Sequence, residues 1–337
     1  MRVAVLGGGR SLEHDVSLRG AMAVAEGLVE RGHEVVIIDL ARDGRWLHLG
    51  EPVSLTPGGG LLGADCVFPV LHGPGGEDGS VQGLLELLDV PYVGSGVLSS
   101  ALSLDKLAAK DSAKAAGIPQ VDYVSVSAER WEREPAAVLA EAAPLARPWW
   151  VKAAAGGSSL GMEPVSETDE LGPAIERCLQ YDQRVIIEAS ASGVEVECAV
   201  LGGPPGETRV SQPGQIVVTG GGWYDHEAKY TEGGMQLLCP APLPEPVAEE
   251  VQELCLRAFA HADCHGLARV DCFVDLEAPG GPRVLLNEIN TLPGFTATSV
   301  YAQLWAATGI PYGELLDELL AAALSRPRRL PIEKLEA

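Results

Sequence analysis

Near the C-terminal end of the chain, Arg269-Val-Asp271 and Asn287-Glu288-Ile-Asn290 flank a turn made of Glu277-Ala-Pro-Gly-Gly-Pro282. Charged residues alternate with apolar ones on both sides of it. A period of two is the pattern of a strand with one buried face, so Leu267 to Val274 and Val284 to Ile289 are expected to be the arms of a hairpin. On such arms Arg269 and Asp271 share a face, as do Glu288 and Asn290. A turn centred on Pro279-Gly280 then sets Asp271 opposite Glu288 and Arg269 opposite Asn290. Two carboxylates and an amide oxygen converge on one sheet face, a hard-oxygen set that suits Mg²⁺ and leaves ligand positions for substrate phosphates. Charges on a strand usually mark a solvated face with salt bridges. Here two acids directly opposite one another repel unless a cation or proton lies between them, which favours the metal reading.

The rest of the composition narrows the partners. With 337 residues the chain is long enough for two or three domains, and 46% hydrophobic residues indicate packed cores over most of it. The formal charge of −23 argues against nucleic acid, whose phosphates need a basic surface. An anionic small molecule stays compatible if the few cations are concentrated locally. The start, MRVAVLGGG, enters a strand directly, without the basic and long apolar segments of a secretory signal. No stretch reads as a membrane span. Seven cysteines without CxxC spacing, most of them in apolar runs, fit a reduced, cytoplasmic protein. His261-Ala-Asp263-Cys264-His265 matches no structural zinc spacing, and one helical turn cannot aim its side chains at one point. It reads as a helix end with a buried thiol.

The first hundred residues alternate strand and helix: Val3 to Leu6, a helix from about Ser17 to Arg31, Glu34 to Leu40, Cys66 to Val70, and a helix from Ser80 to Leu88. That is the pattern of a parallel α/β layer. Gly7-Gly-Gly9 with Asp39 resembles a dinucleotide fingerprint, but the third glycine of GxGxxG falls on Leu12 and the motif is broken. The loop still brings Glu13 and His14 to the carboxyl edge of the sheet, where ligands of open α/β sheets bind. In the second turn, His72-Gly-Pro-Gly-Gly-Glu77-Asp78-Gly79, the two acids are expected to cap the following helix rather than to act in chemistry. His72 stays open. Gly94 to Leu102 reads as a boundary, after which a helix from Asp105 to Ala116 opens a second α+β unit that runs to about Ala189.

Within that unit the strand Trp149-Trp-Val-Lys152 ends in Ala153-Ala-Ala-Gly156-Gly-Ser158-Ser-Leu-Gly161. Small residues behind a lip lysine can approach phosphates through backbone N–H groups, although such runs are often plain linkers and the Walker spacing is absent. A strand ending at Glu188, a break, and a second strand carrying Glu195 and Glu197 on one face form a plausible hinge. Gly220 to Gly234 is a polar loop with His226-Glu-Ala-Lys229-Tyr230, either a lid or an ordinary insertion. Asn290 to Tyr301 is a turn into a helix, with N–H groups and hydroxyls suited to a carboxylate or oxyanion.

Taken in order, GGRSLEHDVS from Gly8, HGPGGEDG from His72, Asp105-Lys106, VKAAAGGSSLGM from Val151, HEAKY from His226, RVD from Arg269 and NEINTLPGFT from Asn287 resemble the D-alanine:D-alanine ligases of the ATP-grasp superfamily. The resemblance covers nearly the whole chain. It implies an α/β (α+β) ATP-grasp fold of three domains: a Rossmann-like parallel domain at 1–100, a central ATP-grasp small domain at 101–189, and a C-terminal ATP-grasp domain at 190–326 with the magnesium site and a lid loop, followed by a tail at 327–337. It implies ATP and two Mg²⁺ ions, with Mn²⁺ as a substitute, D-alanine as substrate, and a homodimer. By the same resemblance Lys106 and Lys152 hold ATP phosphates, Lys229 reaches the γ-phosphate, Glu188 lies on the adenine side and Glu195 accepts ribose hydroxyls. Ser158 and Asn287 belong to the same nucleotide set. Asp271, Glu288 and Asn290 match the metal ligands. Glu13, with Ser158 and Tyr230, matches the anchor of the first substrate's ammonium, and His72 lies near that substrate. Arg269 and the Gly294 N–H match the oxyanion pair, while Ser299, with Val300 beside it, matches the holder of the second carboxylate. Tyr230 is similar to the tyrosine that accompanies dipeptide formation. The sequence departs from the family at Ala153, where proline is usual, at Ala155 and Gly156 in the phosphate flap, and at Ala189, which puts nucleotide affinity in question rather than reaction type. The competing readings are an ATP-grasp ligase for other amino acids and a catalytically silent nucleotide-binding homologue.

Overall fold

The computed structural model describes residues 1–156, 161–202, 207–218 and 234–326. Three sheets organise it. The first has the order β4-β3-β2-β1-β5, built from β1 (Arg2–Gly8), β2 (Glu34–Leu40), β3 (Trp46–His48), β4 (Glu51–Pro52) and β5 (Cys66–Pro69). β1 pairs in parallel with both β2 and β5, and β3 and β4 add an antiparallel flap at one edge. The second is antiparallel, with the order β6-β9-β7-β8, from β6 (Tyr123–Ser127), β7 (Trp149–Ala153), β8 (Met162–Val165) and β9 (Arg184–Glu188). The third runs β13-β12-β10-β14-β15, with β11 (Arg209–Val210) on β10; its other members are β10 (Val194–Gly202), β12 (Gly214–Val218), β13 (Met235–Leu238), β14 (Gly266–Asp275) and β15 (Arg283–Asn290).

The helix expected from Ser17 begins earlier, at His14, and runs to Glu30. Ser17 is not its cap. Its hydroxyl accepts from Gly8 N at 2.8 Å and donates to the Val70 carbonyl, tying the β1 loop to the end of β5. Glu13 therefore holds the N-cap position without capping a helix N–H through its side chain. The segment expected as a plain boundary contains a helix, Val97–Leu104, which leads into a second, Lys106–Ala115, capped by Asp105 through Ala108 N at 3.0 Å.

Helix Glu245–His261 buries Val247, Val251, Leu254, Cys255, Ala258 and Phe259, an apolar stripe at helical spacing. The stripe packs on one face of the third sheet, against Val196, Cys198 and Val200 of β10 and Ala268, Val270, Cys272 and Val274 of β14. Alternation then sends Glu195, Glu197, Arg269 and Asp271 to the opposite face. Farther along that face, Ala199 and Leu201 join a core shared with Val3, Val5 and Phe68 of the first sheet and with Tyr301, Trp305, Leu316 and Leu319 of helices Val300–Thr308 and Tyr312–Ser325. One continuous core thus binds the first sheet to the third.

The β14–β15 hairpin pairs Arg269 with Asn290 and Asp271 with Glu288, as the alternation predicts. It does so by a route the sequence reading omitted. From the turn to Cys272↔Leu286 the ladder is regular, and between Asp271 and Cys272 the register shifts by one, leaving Asn287 as the extra residue of a bulge. Without that bulge Glu288 and Asn290 would lie on the face of Val284 and Leu286, against the helix.

Candidate active site

A cavity of about 590 Å³ opens where the second and third sheets meet the loops of the first, a volume that suits a nucleotide-sized ligand. Its walls include Glu13, His72, Lys106, Lys152, Glu188, Glu195, Arg269, Asn287, Glu288, Asn290 and Gly294, all of them expected from the sequence. Ser158, Lys229 and Tyr230 lie outside the described residues, as does most of the segment read as a lid. Ser299 takes the N-cap position of helix Val300–Thr308, and its Oγ accepts from Thr296 N at 2.9 Å. The Val300 side chain is buried in the core beneath.

On the third sheet, strand register sets Glu197, Asp271 and Glu288 side by side on adjacent strands. Arg269 lies on the same face and forks Asp271, Nε to Oδ1 at 2.7 Å and Nη2 to Oδ2 at 2.6 Å, while Nε stands 3.0 Å from Glu197 Oε2. The repulsion that pointed to a cation is thus met in part from within the chain. Oxygens of Glu195, Glu197 and Asp271 all lie within 4.8 Å of one another. This all-oxygen donor set, continued by Glu288 and Asn290, fits a hard divalent cation such as Mg²⁺. Asn290 keeps a lone pair for such a role, because its Oδ1 accepts one hydrogen bond, from Leu292 N at 3.1 Å.

The facing sheet carries the positive charge. Lys152 on β7 reaches Glu188 Oε2 at 2.5 Å, and Lys110, one turn beyond Lys106, reaches Glu188 Oε1 at 2.9 Å. Lys110 and Glu188 are buried, and Lys152 is half-buried where it opens on the cavity. Burial would raise the Glu188 pKa, but the two ammonium charges outweigh it and hold the carboxyl down at about 2. Burial likewise opposes the charge on Lys152, and attraction to Glu188 overcomes it, leaving the pKa raised. Lys106 donates from Nζ to the Gly156 carbonyl at 2.6 Å, at the start of the phosphate-loop segment. Lys110 was absent from the sequence reading; its place one turn after Lys106 was the available signal.

The first sheet contributes acids and an imidazole. A Cβ on Gly73 (φ +68°) would stand 3.3 Å from Glu13 Oε2, so glycine permits both the left-handed turn and the close approach. Glu77 accepts from Gly73 N at 2.6 Å, and Asp78 accepts from Gly75 N and Ser80 N at 2.8 and 2.9 Å. Asp78 does cap the following helix, through its first N–H at Ser80, whereas the expectation is corrected for Glu77, which staples the turn instead; Gly79 holds the N-cap position. Glu77 also lines the cavity. Its burial, with the charges of Glu13 and Glu288, pushes its pKa up to about 8 against the opposing Gly73 N–H and Arg269. Burial lowers the pKa of His72, with Glu13 opposing, so a neutral imidazole faces the cavity.

The segment read as a helix end follows the last residue of its helix, His261, and has separate partners: His261 Nε2 meets Ser112 Oγ at 2.8 Å, Cys264 Sγ meets Ser99 Oγ at 3.1 Å, and His265 N donates to Ser95 Oγ at 3.2 Å. All seven cysteines are free thiols. Among the described residues no helix is long and apolar enough to cross a membrane.

Comparison with known proteins gives the same grouping of residues a lineage. The model of the D-ala D-ala ligase C-terminus matches residues 113–321, and that of the D-ala D-ala ligase N-terminus matches 2–59 and 58–95. A D-alanine--D-alanine ligase of Deinococcus radiodurans is 42% identical over 339 residues, covering 96% of this chain and 98% of the relative. One from Kocuria rhizophila is 41% identical over 365 residues, covering 96% and 94%. Among solved structures, the VanG D-Ala:D-Ser ligase of Enterococcus faecalis superposes with a TM-score of 0.83 at 34% identity, covering 96% of this chain and 99% of that one. The D-alanine-D-alanine ligase of Coxiella burnetii gives 0.82 at 34%, covering 96% and 94%. The fold is that of the ATP-grasp enzymes. Matched over residues 2–95 and 113–321, and related at this identity across nearly the full length of each relative, the chain belongs to the D-alanine:D-alanine ligase family.

Proposed function

We propose that the chain is an ADP-forming ligase that joins two D-alanines for peptidoglycan precursor synthesis. The observation that carries the reading is the opposition, across one cavity, of two lysines (Lys152 on β7 and Lys106 at its helix start) and Arg269, Glu288 and Asn290 of the third sheet, with Asp271 paired to Glu288 behind them. Lysines can hold a polyphosphate directly from one side, and the carboxylates would hold it from the other through a divalent cation. Phosphoryl transfer from ATP to the first D-alanine's carboxylate gives an acyl phosphate and ADP. Attack by the second D-alanine's amine forms the peptide bond and releases phosphate, with the proton lost from the nitrogen.

Glu13, in the cavity wall, holds the first ammonium, and neutral His72 near it adds no competing charge. Arg269 and the Gly294 N–H hold the tetrahedral oxyanion, a kind of contact worth about 3 kcal/mol in the transition state. Ser299, at its helix N-terminus, receives the second carboxylate. Lys152 meets the phosphates and Glu195 the ribose, with Glu188 and Lys110 fixing the Lys152 ammonium in place. Asp271, Glu288 and Asn290 would hold two Mg²⁺ ions, or Mn²⁺ in their place, which supply charge neutralisation as negative charge moves toward ADP. We place the enzyme in the cytoplasm as a homodimer; the net charge of −23 supports a protein that binds neither nucleic acid nor anionic membrane.

The test is ADP release with ATP and Mg²⁺ in the presence of D-alanine, L-alanine, D-serine or D-lactate, with product masses read in parallel. D-alanine-dependent turnover yielding D-alanyl-D-alanine is expected. ATP binding without turnover on any of the four would sink the substrate assignment, and a mixed D-alanyl-D-serine product would redirect it.

A further inference from the structure

The side chain of Glu197 lies at the β10 end of the carboxylate row, beside Asp271; it belongs to the acidic group that fits a cation, and one of its oxygens meets the Arg269 guanidinium. It is wholly buried, next to Asp271 across the β10–β14 ladder, and its Oε2 lies 3.0 Å from Arg269 Nε. The same Nε donates to Asp271 Oδ1 at 2.7 Å, so one guanidinium is hydrogen-bonded to Asp271 and ion-paired with Glu197. Both Asp271 oxygens are engaged by the guanidinium fork. A divalent cation that takes one of them removes electron density from the fork and repels the guanidinium charge. An arginine with Asp271 as its sole anchor would have either to block the cation or to leave.

We propose that Glu197 is a positioning residue: it is the second anchor that keeps the Arg269 guanidinium over the cavity when Asp271 is given to a divalent cation. The inference rests on the reading of Asp271 as a cation ligand and of Arg269 as the oxyanion donor. A buried carboxylate on the neighbouring strand suits this task. It is held by sheet register rather than by a loop, and its oxygen 3.0 Å from Nε lets the guanidinium shift its weight from Asp271 without crossing solvent. Geometry also separates it from Glu195, which lines the cavity wall two residues away, whereas Glu197 is covered.

The test uses the full chain with Glu197→Gln, which keeps shape and an acceptor but removes the charge, and Glu197→Asp, which keeps the charge and shortens the reach. Both are expected to lower kcat about 10- to 100-fold, the usual scale for an outer partner of a reacting or ligating group. KM for ATP and for D-alanine should stay near the wild-type values. The double variant with Arg269→Met should be no slower than Arg269→Met alone, since a residue acting only through Arg269 has nothing left to position. Independently of turnover, titration of Mn²⁺ with ADP present, followed by electron paramagnetic resonance, should show weaker binding in Glu197→Gln as Arg269 falls back on Asp271. Wild-type kcat in both single variants, or further slowing in the double variant, would overturn the inference and leave the ligase reading intact. If the wild-type chain neither binds Mn²⁺ nor turns over, the ligase reading fails and the inference falls with it.

Discussion

Several of the charges at the cavity are held by a named neighbour, and the single residues most open to test are those whose neighbour cannot be replaced by water. Glu188 serves two ammonium groups, buried Lys110 and half-buried Lys152. Glu188→Gln leaves both without a counterion and is expected to cost about 3–5 kcal/mol of stability, read from urea unfolding at neutral pH. The pH dependence follows from the same pairing. Glu188 is held at about 2 against an ordinary value of 4.5, so below 4.5 the unfolded chain binds the proton first. Its contribution is complete above that value and is lost as pH falls toward 2, and Glu188→Gln should lack this segment of the stability curve. Glu288→Gln has a different signature. Its carboxylate faces the cavity opposite Asp271, so turnover should fall strongly while the circular dichroism spectrum and melting temperature stay near wild type. Wild-type turnover with Mg²⁺ in that variant would remove Glu288 from the metal set.

Elements act here by choosing which face a side chain takes. Helix Glu245–His261 claims one face of the third sheet, and by doing so leaves the other to the charged residues. Leu254, almost fully buried in that contact, is expected to lose about 2–5 kcal/mol on truncation to alanine, measured by chemical denaturation. The hairpin itself was legible in the alternation of residues around Asp271 and Glu288, and the strand pairing agrees. The bulge at Asn287 was not. Val284, Leu286, Glu288 and Asn290 have the same parity, and a regular strand would have put all four on one face. Only the competing demands of the helix, which takes Val284 and Leu286, and of Asp271, which lies opposite Glu288, force the extra residue. Single-strand patterning contains no term for such a conflict.

At the scale of the molecule, three sheets that are remote in the chain close around one cavity, so ligand binding should be felt by the whole fold. ADP with Mg²⁺ is expected to raise the melting temperature more than ADP alone, by the equivalent of about 2.7 kcal/mol when ligand stands at a hundred times its Kd. Equal shifts with and without Mg²⁺ would separate nucleotide binding from the acidic row. The N-terminal sheet is coupled to this event through the shared core of Phe68, Tyr301 and Trp305, and through Asp317, which takes Arg31 at 2.6 Å and His33 at 2.9 Å.

By itself the sequence determined the elements that depend on local chemistry: strand alternation, the helix at Ser80–Leu88, the glycine turns, and the ordered motifs that place the chain in its family. It also named most of the cavity wall, because a ligand site concentrates polar residues in otherwise apolar segments. The tertiary structure alone decided three things. It assigned Glu77, read as a cap, to the cavity with a pKa of about 8, since burial by distant segments sets that shift. It put Lys110 on Glu188, a contact between a helix and a strand dozens of residues apart. It set Glu197 beside Asp271, because register between β10 and β14 is fixed by packing over the whole sheet. Local propensity extends over a few residues, whereas burial and charge pairing depend on which segments meet, and that is settled only when the core closes.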